Sequence, residues 1–164
     1  MTTYDAENLL FDIKGILTSN LNTKIAAIEA EKIGAGFVST NLAPVDTMKG
    51  YFEQSWSDAM LNINPAIFYG IEETTAEGQG PATKELYKIF VEIVLVDNGM
   101  DTLTKNRIHR YARAIKEVFQ ENYDRLPPAG KIKIETVRPT SFKLDLNSSE
   151  EVKVGGVSLT VAIA

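Results

Sequence analysis

Apolar side chains recur at helical spacing over roughly residues 4–32 of the chain. At about 100° per residue, five of them fall within ~140° of one helical face: Leu9, Leu10, Ile13, Ile16 and Leu17. Thr3 or Asp5 is suited to cap the start of such a helix, and Gly34 and Gly36 are residues that end helices. The pattern therefore predicts a long amphipathic helix at the N-terminus.

Two strand patterns follow a long, variable and weakly patterned connection at about 33–62. The first, PAIFYGIEE, spans 65–73, and the second, ELYKIFVEIVLV, spans 85–96. The second is nearly continuously apolar after Lys88, so we expect both of its faces to be covered. A Gly/Pro-rich stretch between them predicts a hairpin with a mobile loop at about 74–83. Within the connection, YFEQSWSDAML predicts one or two helical turns and contains the only tryptophan, Trp56.

A second amphipathic helix is predicted from about 101 or 102 to 124. Six apolar residues share one face of ~120°: Ile108, Tyr111, Ala112, Ile115, Val118 and Phe119. KIKIETV, SFKLDL and VSLTVAI then predict three strands. The order α-β-β-α-β-β-β predicts a single α+β domain over residues 1–164, with helices packed on one face of an antiparallel or mixed sheet.

Composition narrows the classes of site that the chain can build. It has no cysteine, which excludes disulfide frameworks, zinc-thiolate sites and cysteine nucleophiles. No stretch approaches the ~18 consecutive apolar residues of a membrane span, and the acidic N-terminus MTTYDAENLL does not resemble a secretory signal. Residues 1–100 hold 6 Lys+Arg against 14 Asp+Glu, whereas residues 101–164 hold 11 against 8. This split would give the molecule two sides of different charge if the fold keeps the halves apart.

The candidate catalytic groups do not form a recognisable motif. His109 is the only histidine and lies among arginines, which predicts a surface histidine on the flank of the helix. Glu72 and Glu73 are adjacent on a strand and point to opposite faces, and Glu150 and Glu151 lie in a predicted solvated turn. No phosphate-binding loop, dinucleotide fingerprint or calcium-binding loop occurs. We therefore predict no enzymatic activity, no metal and no cofactor.

The clearest charge signal lies on the second predicted helix. Five cations and no acid occur between positions 105 and 116: Lys105, Arg107, Arg110, Arg113 and Lys116. On a helical wheel they spread over the polar side, away from the apolar face, with Glu117 and Glu121 partly neutralising them. The face is either simply solvated, or meets an acidic surface of another copy, or lines a path for a polyanion such as DNA.

The order of elements is similar to that of a known group of proteins. An N-terminal amphipathic helix, a variable connection, PAIFYGIEE, a Gly-rich loop, ELYKIFVEIVLV, the helix RIHRYARAIKEVF and closing strands ending in VSLTVAIA follow one another. This pattern resembles the tail-terminator (tail-completion) proteins of long-tailed bacteriophages and their relatives at the head-tail neck. The resemblance covers nearly the whole chain as a pattern of elements. No short motif can be matched, so no individual residue role is carried over.

The resemblance implies a non-enzymatic virion protein, assembled in the cytoplasm of the bacterial host. Such proteins form a hexameric ring that caps the tail tube, ends its polymerisation and joins the tail to the head, with the genome passing through the lumen. The five cations are then candidates for the subunit interface or the lumen, and charge reversal at Arg110 and Arg113 is expected to weaken assembly of a folded monomer. Five residues of the hairpin loop are candidates for contact with the tail tube or head connector: Thr74, Thr75, Glu77, Gln79 and Thr83.

Three other kinds of protein remain open at this point. A stand-alone α+β binding or regulatory module would need a closed apolar pocket, which a sequence does not reveal. Another neck, head-completion or baseplate component would share the same size and composition. A small enzyme would need a cluster of titratable side chains. None of these alternatives requires a membrane.

Overall fold

The computed structural model describes residues 4–56, 62–98, 103–126, 133–143 and 150–163. Its elements, in chain order, are helix α1 (Ala6–Gly34), strands β1 (Tyr51–Phe52), β2 (Ala66–Glu77) and β3 (Lys84–Asn98), helix α2 (Thr104–Glu121), and strands β4 (Lys133–Lys143) and β5 (Glu150–Ile163). Short 3₁₀ turns cover Gly80–Ala82 and Tyr123–Arg125.

Helix α1 is the long N-terminal helix that the periodicity predicts. The Asp5 side chain accepts a hydrogen bond from the backbone N–H of Asn8, whose own side chain accepts one from the backbone N–H of Asp5. This reciprocal cap satisfies two of the free N–H groups at the helix start. At the other end, Gly36 has a φ of 89° and its N–H donates to the carbonyl of Ile33. Glycine adopts this left-handed conformation at little cost, so the helix stops where predicted.

Five described strands form one sheet in the order β1-β2-β3-β5-β4. The short β1 pairs with β2 in parallel, and every other neighbouring pair is antiparallel. Strand β3 therefore lies at the centre, with β2 on one side and β5 on the other. The fold is α+β with a mixed sheet, as the element order predicts.

Both helices pack on the same face of this sheet. Alternate residues of β3 enter the main core with the apolar stripes of α1 and α2; among them are Ile89, Val91 and Ile93, each 0% exposed. The other face carries a smaller buried cluster of Ala66, Phe68, Val94, Val152 and Val154, against which Phe52, Trp56, Ile63 and Phe90 pack. Strand β3 is thus covered on both faces over much of its length, and Trp56 packs against its own domain.

The β2–β3 hairpin differs from its prediction in the length of the loop. Strand β2 continues to Glu77, and β3 begins at Lys84, so the loop covers 78–83 and contains a 3₁₀ turn. The predicted loop at 74–83 was too long because threonines that precede a Gly/Pro stretch extend the strand. The strand runs past a register irregularity between Ile71 and Glu73.

Two further element predictions were wrong. Tyr51 and Phe52 form strand β1 and not a helical turn; residues 57–61 lie outside the described ranges. The segments KIKIETV and SFKLDL belong to one strand, β4, which passes through a register irregularity between Val137 and Thr140. Residues 131–132 and 144–146 of these predicted segments lie outside the described ranges, as do residues 101–102 of the predicted second helix. The observed order is α-β-β-β-α-β-β.

Candidate functional site

Helix α2 directs its arginines toward α1 and toward the segment that follows α1. The guanidinium of Arg110 lies 2.7 Å from the carboxylate of Glu29 on α1, and its side chain is only 6% exposed. The same guanidinium donates to the carbonyl oxygen of Val38 at 3.2 Å and to the hydroxyl of Thr40 at 3.3 Å. Arg110 therefore joins three parts of the chain at one buried point.

Glu29 is the acceptor at the centre of this group. Its carboxylate receives the backbone N–H of Thr40 at 2.6 Å, the Thr40 hydroxyl at 3.0 Å and the Ser39 hydroxyl at 2.9 Å, in addition to Arg110. Burial opposes ionisation of Glu29, but these hydrogen bonds outweigh burial and lower its pKa from 4.5 to about 2. We call Glu29, the carbonyl group of Val38, Ser39, Thr40 and Arg110 the buried ionic cluster, because Thr40 and Arg110 at its centre are buried.

The other two arginines of α2 are also held by acceptors of this chain. Arg107 pairs with Asp97 at 2.5 Å and donates from Nε to the carbonyl oxygen of Thr40 at 2.7 Å. Arg113 makes two hydrogen bonds to Glu31 on α1, each 2.8 Å, and one to Glu117. The hydrogen bonds that Arg113 donates to Glu31 and Glu117 raise the pKa of Arg113 above its ordinary value.

The expectation that five cations lie away from the core is wrong for Arg110. A helical wheel locates the apolar side of α2 but does not show that α1 brings Glu29 and Glu31 against the polar side. Charge reversal at Arg110 would remove a buried ion pair, so this position is unsuitable as a surface probe. Lys105 is exposed and Lys116 half-buried, and within the described ranges neither forms a hydrogen bond or an ion pair.

The candidate acid and base groups are not brought together. His109 is exposed on α2, as predicted. Glu72 pairs with Lys88 at 3.4 Å. Glu150 and Glu151 begin strand β5 and do not lie in a solvated turn, and Glu151 pairs with Lys153 at 2.8 Å. Among the residues that the structure describes, no group of three or more Asp, Glu, His or Cys side chains is arranged to hold a metal ion.

The hairpin candidates divide between strand and loop. Thr74, Thr75 and Glu77 are in β2, opposite Tyr87, Leu86 and Lys84 of β3, whereas Gln79 and Thr83 are in the loop. The hydroxyl of Thr83 donates to the carbonyl oxygen of Gly80 at 2.7 Å, which closes the 3₁₀ turn. All five candidate side chains are exposed, so this end of the hairpin is available for contact.

A feature that the sequence reasoning missed lies on the face of the sheet opposite the helices. A cavity of about 460 Å³ opens there, lined by Ser55, Ile71, Glu72, Phe90, Glu92, Val137 and Ser158. Burial, and then the nearby charge of Glu72, raises the pKa of Glu92 above its ordinary value. The signal in the sequence is the lone acid inside the apolar run IFVEIVLV.

A smaller cavity of about 220 Å³ is lined in part by Arg107. Its lining also includes Asn64, Asp97 and Tyr111. The Asn64 side chain donates to the carbonyl oxygen of Val96 at 2.7 Å and accepts from its N–H at 3.2 Å. The Tyr111 hydroxyl donates to the carbonyl oxygen of Ala43 at 2.6 Å. The polar side-chain groups of Asn64 and Tyr111 are therefore engaged in hydrogen bonds to the backbone around this cavity.

Comparison with known proteins does not place the chain in a family. No protein-family model matches it, and no curated protein matches it significantly in sequence. Neither described helix is long and apolar enough to cross a membrane. The functional argument therefore rests on the architecture and on the surfaces described above.

Proposed function

We propose that this protein is a non-enzymatic structural component of a bacteriophage tail, of the tail-terminator type. Copies of the chain would form a closed ring that caps the tail tube, ends its polymerisation and joins it to the head. The observation that carries the proposal is the architecture: an N-terminal amphipathic helix, a hairpin and a second amphipathic helix precede two closing strands of one mixed sheet. This is the arrangement of elements on which the resemblance to that family rests.

The use of the charged groups on α2 supports a structural role. Arg107, Arg110 and Arg113 are each held by carboxylates of the same chain, at 2.5–2.8 Å. Charges fixed in this way hold elements in register and are not free to bind a substrate. The two lysines of the predicted cationic group, Lys105 and Lys116, are the members that remain for contact with another copy.

The β2–β3 hairpin supports contact with a partner ring. Side chains from Glu72 to Pro81 are exposed, although the strands pair as far as Glu77 and Lys84. A paired hairpin presents these side chains on a defined backbone, which lowers the entropy cost of binding. The candidate contacts Thr74, Thr75, Glu77, Gln79 and Thr83 all lie on this exposed segment or close to its end.

The proposal is tested by measuring the mass of the protein in solution. Light scattering over a wide range of protein concentration, with negative-stain images of any large species, should reveal a ring of about six copies. Purified tail tubes should be added in a second arm, because some rings close only on their target. A monomer at every concentration that also fails to bind tail tubes would overturn the proposal.

A matched pair of variants tests whether the hairpin, and not the rest of the surface, binds the tail tube. Glu77→Lys combined with Thr75→Lys, at the exposed end of β2, should abolish binding to tail tubes while leaving the monomer folded. Lys14→Glu on the exposed side of α1 changes charge at a distance from the hairpin and should leave binding unchanged. Equal effects of the two changes would indicate a non-specific charge effect.

A further inference from the structure

The described residues cover only part of the face of the sheet opposite the helices. Phe52, Trp56 and Ile63 pack over its buried cluster, which includes Phe68 and Val94. Beside this cluster lies the 460 Å³ cavity. Among the described residues, this face of the sheet therefore has a concave surface at the cavity, next to the packed cluster.

The cavity contains a carboxylate that pairs with no side chain in the described part of the chain. Glu92 is half-buried, and within the described part of the chain its side chain makes no hydrogen bond and no ion pair. The residues opposite it on the neighbouring strands are Phe68 and Gly156, which have no side-chain donor. The second carboxylate of the cavity, Glu72, is partly neutralised by Lys88.

A half-buried carboxylate loses hydration that nothing in the described chain replaces. The cost is reflected in the raised pKa of Glu92, because burial disfavours its charged form. Phe90, Ile71 and Val137 supply apolar walls beside the carboxylate. An apolar wall that ends in an anion fits a lysine side chain, whose methylene stem packs while its ammonium group pairs.

Two lysines that pair with no described residue lie on the helical side of the same molecule. Lys105 and Lys116 are 11 residues apart on α2, which places them about 20° from each other around the helix and ~16 Å apart along it. His109 is exposed between them on the same flank. This basic flank lies on the helical layer, whereas the Glu92 cavity opens on the other face of the sheet.

We propose that the basic flank of one copy docks against the Glu92 cavity of the next copy, with Lys105 or Lys116 pairing with Glu92. The inference rests on the proposed function, since it supplies the contact by which a ring would form. Two different surfaces on opposite layers of one chain make a head-to-tail contact, which closes into a ring when the rotation between copies permits. The pairing would give a partner to Glu92 and to one of the two lysines, each of which is unpaired within the described ranges.

The decisive variant is Glu92→Gln, examined in two measurements. The change removes a half-buried charge, so the urea midpoint of the monomer should move upward. It also removes the docking partner, so the dissociation constant between copies should rise by about tenfold or more. A residue with a merely structural role would move stability and association in the same direction. Glu73→Gln, at the exposed position that follows Glu72 in β2, should change neither the urea midpoint nor the dissociation constant.

Mixing two variants tests the direction of the contact. A Glu92→Gln chain retains its lysines, and a Lys105→Gln/Lys116→Gln chain retains its cavity. Each should be monomeric alone, and an equimolar mixture should form heterodimers, because one intact contact remains between them. Sedimentation velocity would distinguish these species.

The outcomes separate the two proposals. Normal rings formed by Glu92→Gln would overturn this contact and leave the proposed function standing. Failure of the mixed variants to form heterodimers would likewise overturn the contact. A wild-type chain that never self-associates, even on tail tubes, would overturn both.

Discussion

Arg110 on α2 and Glu29 on α1 form a buried ion pair of 2.7 Å although 81 residues separate them in the chain. The pair joins the two helices that cover the sheet and, through Thr40, fixes the segment that follows α1. Few other polar side chains are so deeply buried in the described part of the chain. The pair thus contributes to the positions of α1, α2 and the connection together.

Removing one partner of this pair should destabilise the fold strongly. Glu29→Gln leaves the Arg110 charge buried without a counter-ion, which typically costs about 3–5 kcal/mol. Urea unfolding followed by circular dichroism would measure the change. Replacing both partners, as Glu29→Leu with Arg110→Met, should recover much of the loss because no isolated charge remains.

The pair between Arg113 and Glu31 is the matched control. It joins the same two helices, but Glu31 is 55% exposed and Arg113 35% exposed. Exposed ion pairs contribute little, because water already stabilises both charges. Glu31→Gln should therefore change the free energy of unfolding far less than Glu29→Gln, and equal effects would contradict the assignment of the buried ionic cluster.

Acid should remove the contribution of Glu29 to the free energy of unfolding. Its pKa is lowered to about 2 in the folded protein, so its stabilisation is fully present above the ordinary value of 4.5 and is lost as the pH falls through about 2. The difference in unfolding free energy between the wild type and Glu29→Gln should be constant from pH 7 to about 5 and shrink below that. A difference that persists unchanged at pH 2 would contradict this.

Glu92 should show the opposite dependence in the monomer. Its pKa is raised, so its contribution to stability is present below the ordinary value and is lost as the pH rises through its folded pKa. The neighbouring charge that acts on it is Glu72, which itself pairs with Lys88. Glu92→Gln should remove this part of the pH dependence, which urea titrations across mildly acidic pH would detect.

Two tyrosines in the core should respond oppositely to loss of their hydroxyl. The Tyr51 hydroxyl is buried without a hydrogen-bond partner in the described structure, and burial raises its pKa to about 12. Tyr51→Phe should stabilise the fold by ~1 kcal/mol, since it removes a desolvated polar group. Tyr111→Phe should destabilise it by about 1 kcal/mol, because the Tyr111 hydroxyl donates to Ala43. Thermal unfolding of both variants would compare them directly.

Substitutions of two glycines by alanine should also change stability in opposite directions. A Cβ at Gly156 would overlap the carbonyl of Val91 on the neighbouring central strand, so Gly156→Ala should cost ~2 kcal/mol or more. Gly15 lies in α1 with nothing within 4 Å of a Cβ, so Gly15→Ala should stabilise the helix by about 0.5–1 kcal/mol. A stable Gly156→Ala variant would show that β3 and β5 can separate locally.

Periodicity predicted both helices, the long central strand and the α+β class, because these depend on which face of each element is apolar. The boundaries of α1 also followed from local chemistry, through Asp5 at its start and the glycines at its end. Strand lengths were predicted less well. Strand β2 includes Thr74 and Thr75 because they pair with β3. Strand β4 continues through the register irregularity between Val137 and Thr140, where the sequence predicted a break between two strands.

The sequence by itself determined the amphipathic elements and the absence of cysteine chemistry, since both depend on composition and on residues a few positions apart. Only the tertiary structure decided what the charges face. It placed Glu29 against Arg110 and Glu31 against Arg113, and it placed Glu92 beside a cavity with no partner among the described residues. Charges interact through space, and residues that are 81 positions apart along the chain are brought to 2.7 Å only by the packing of the helices.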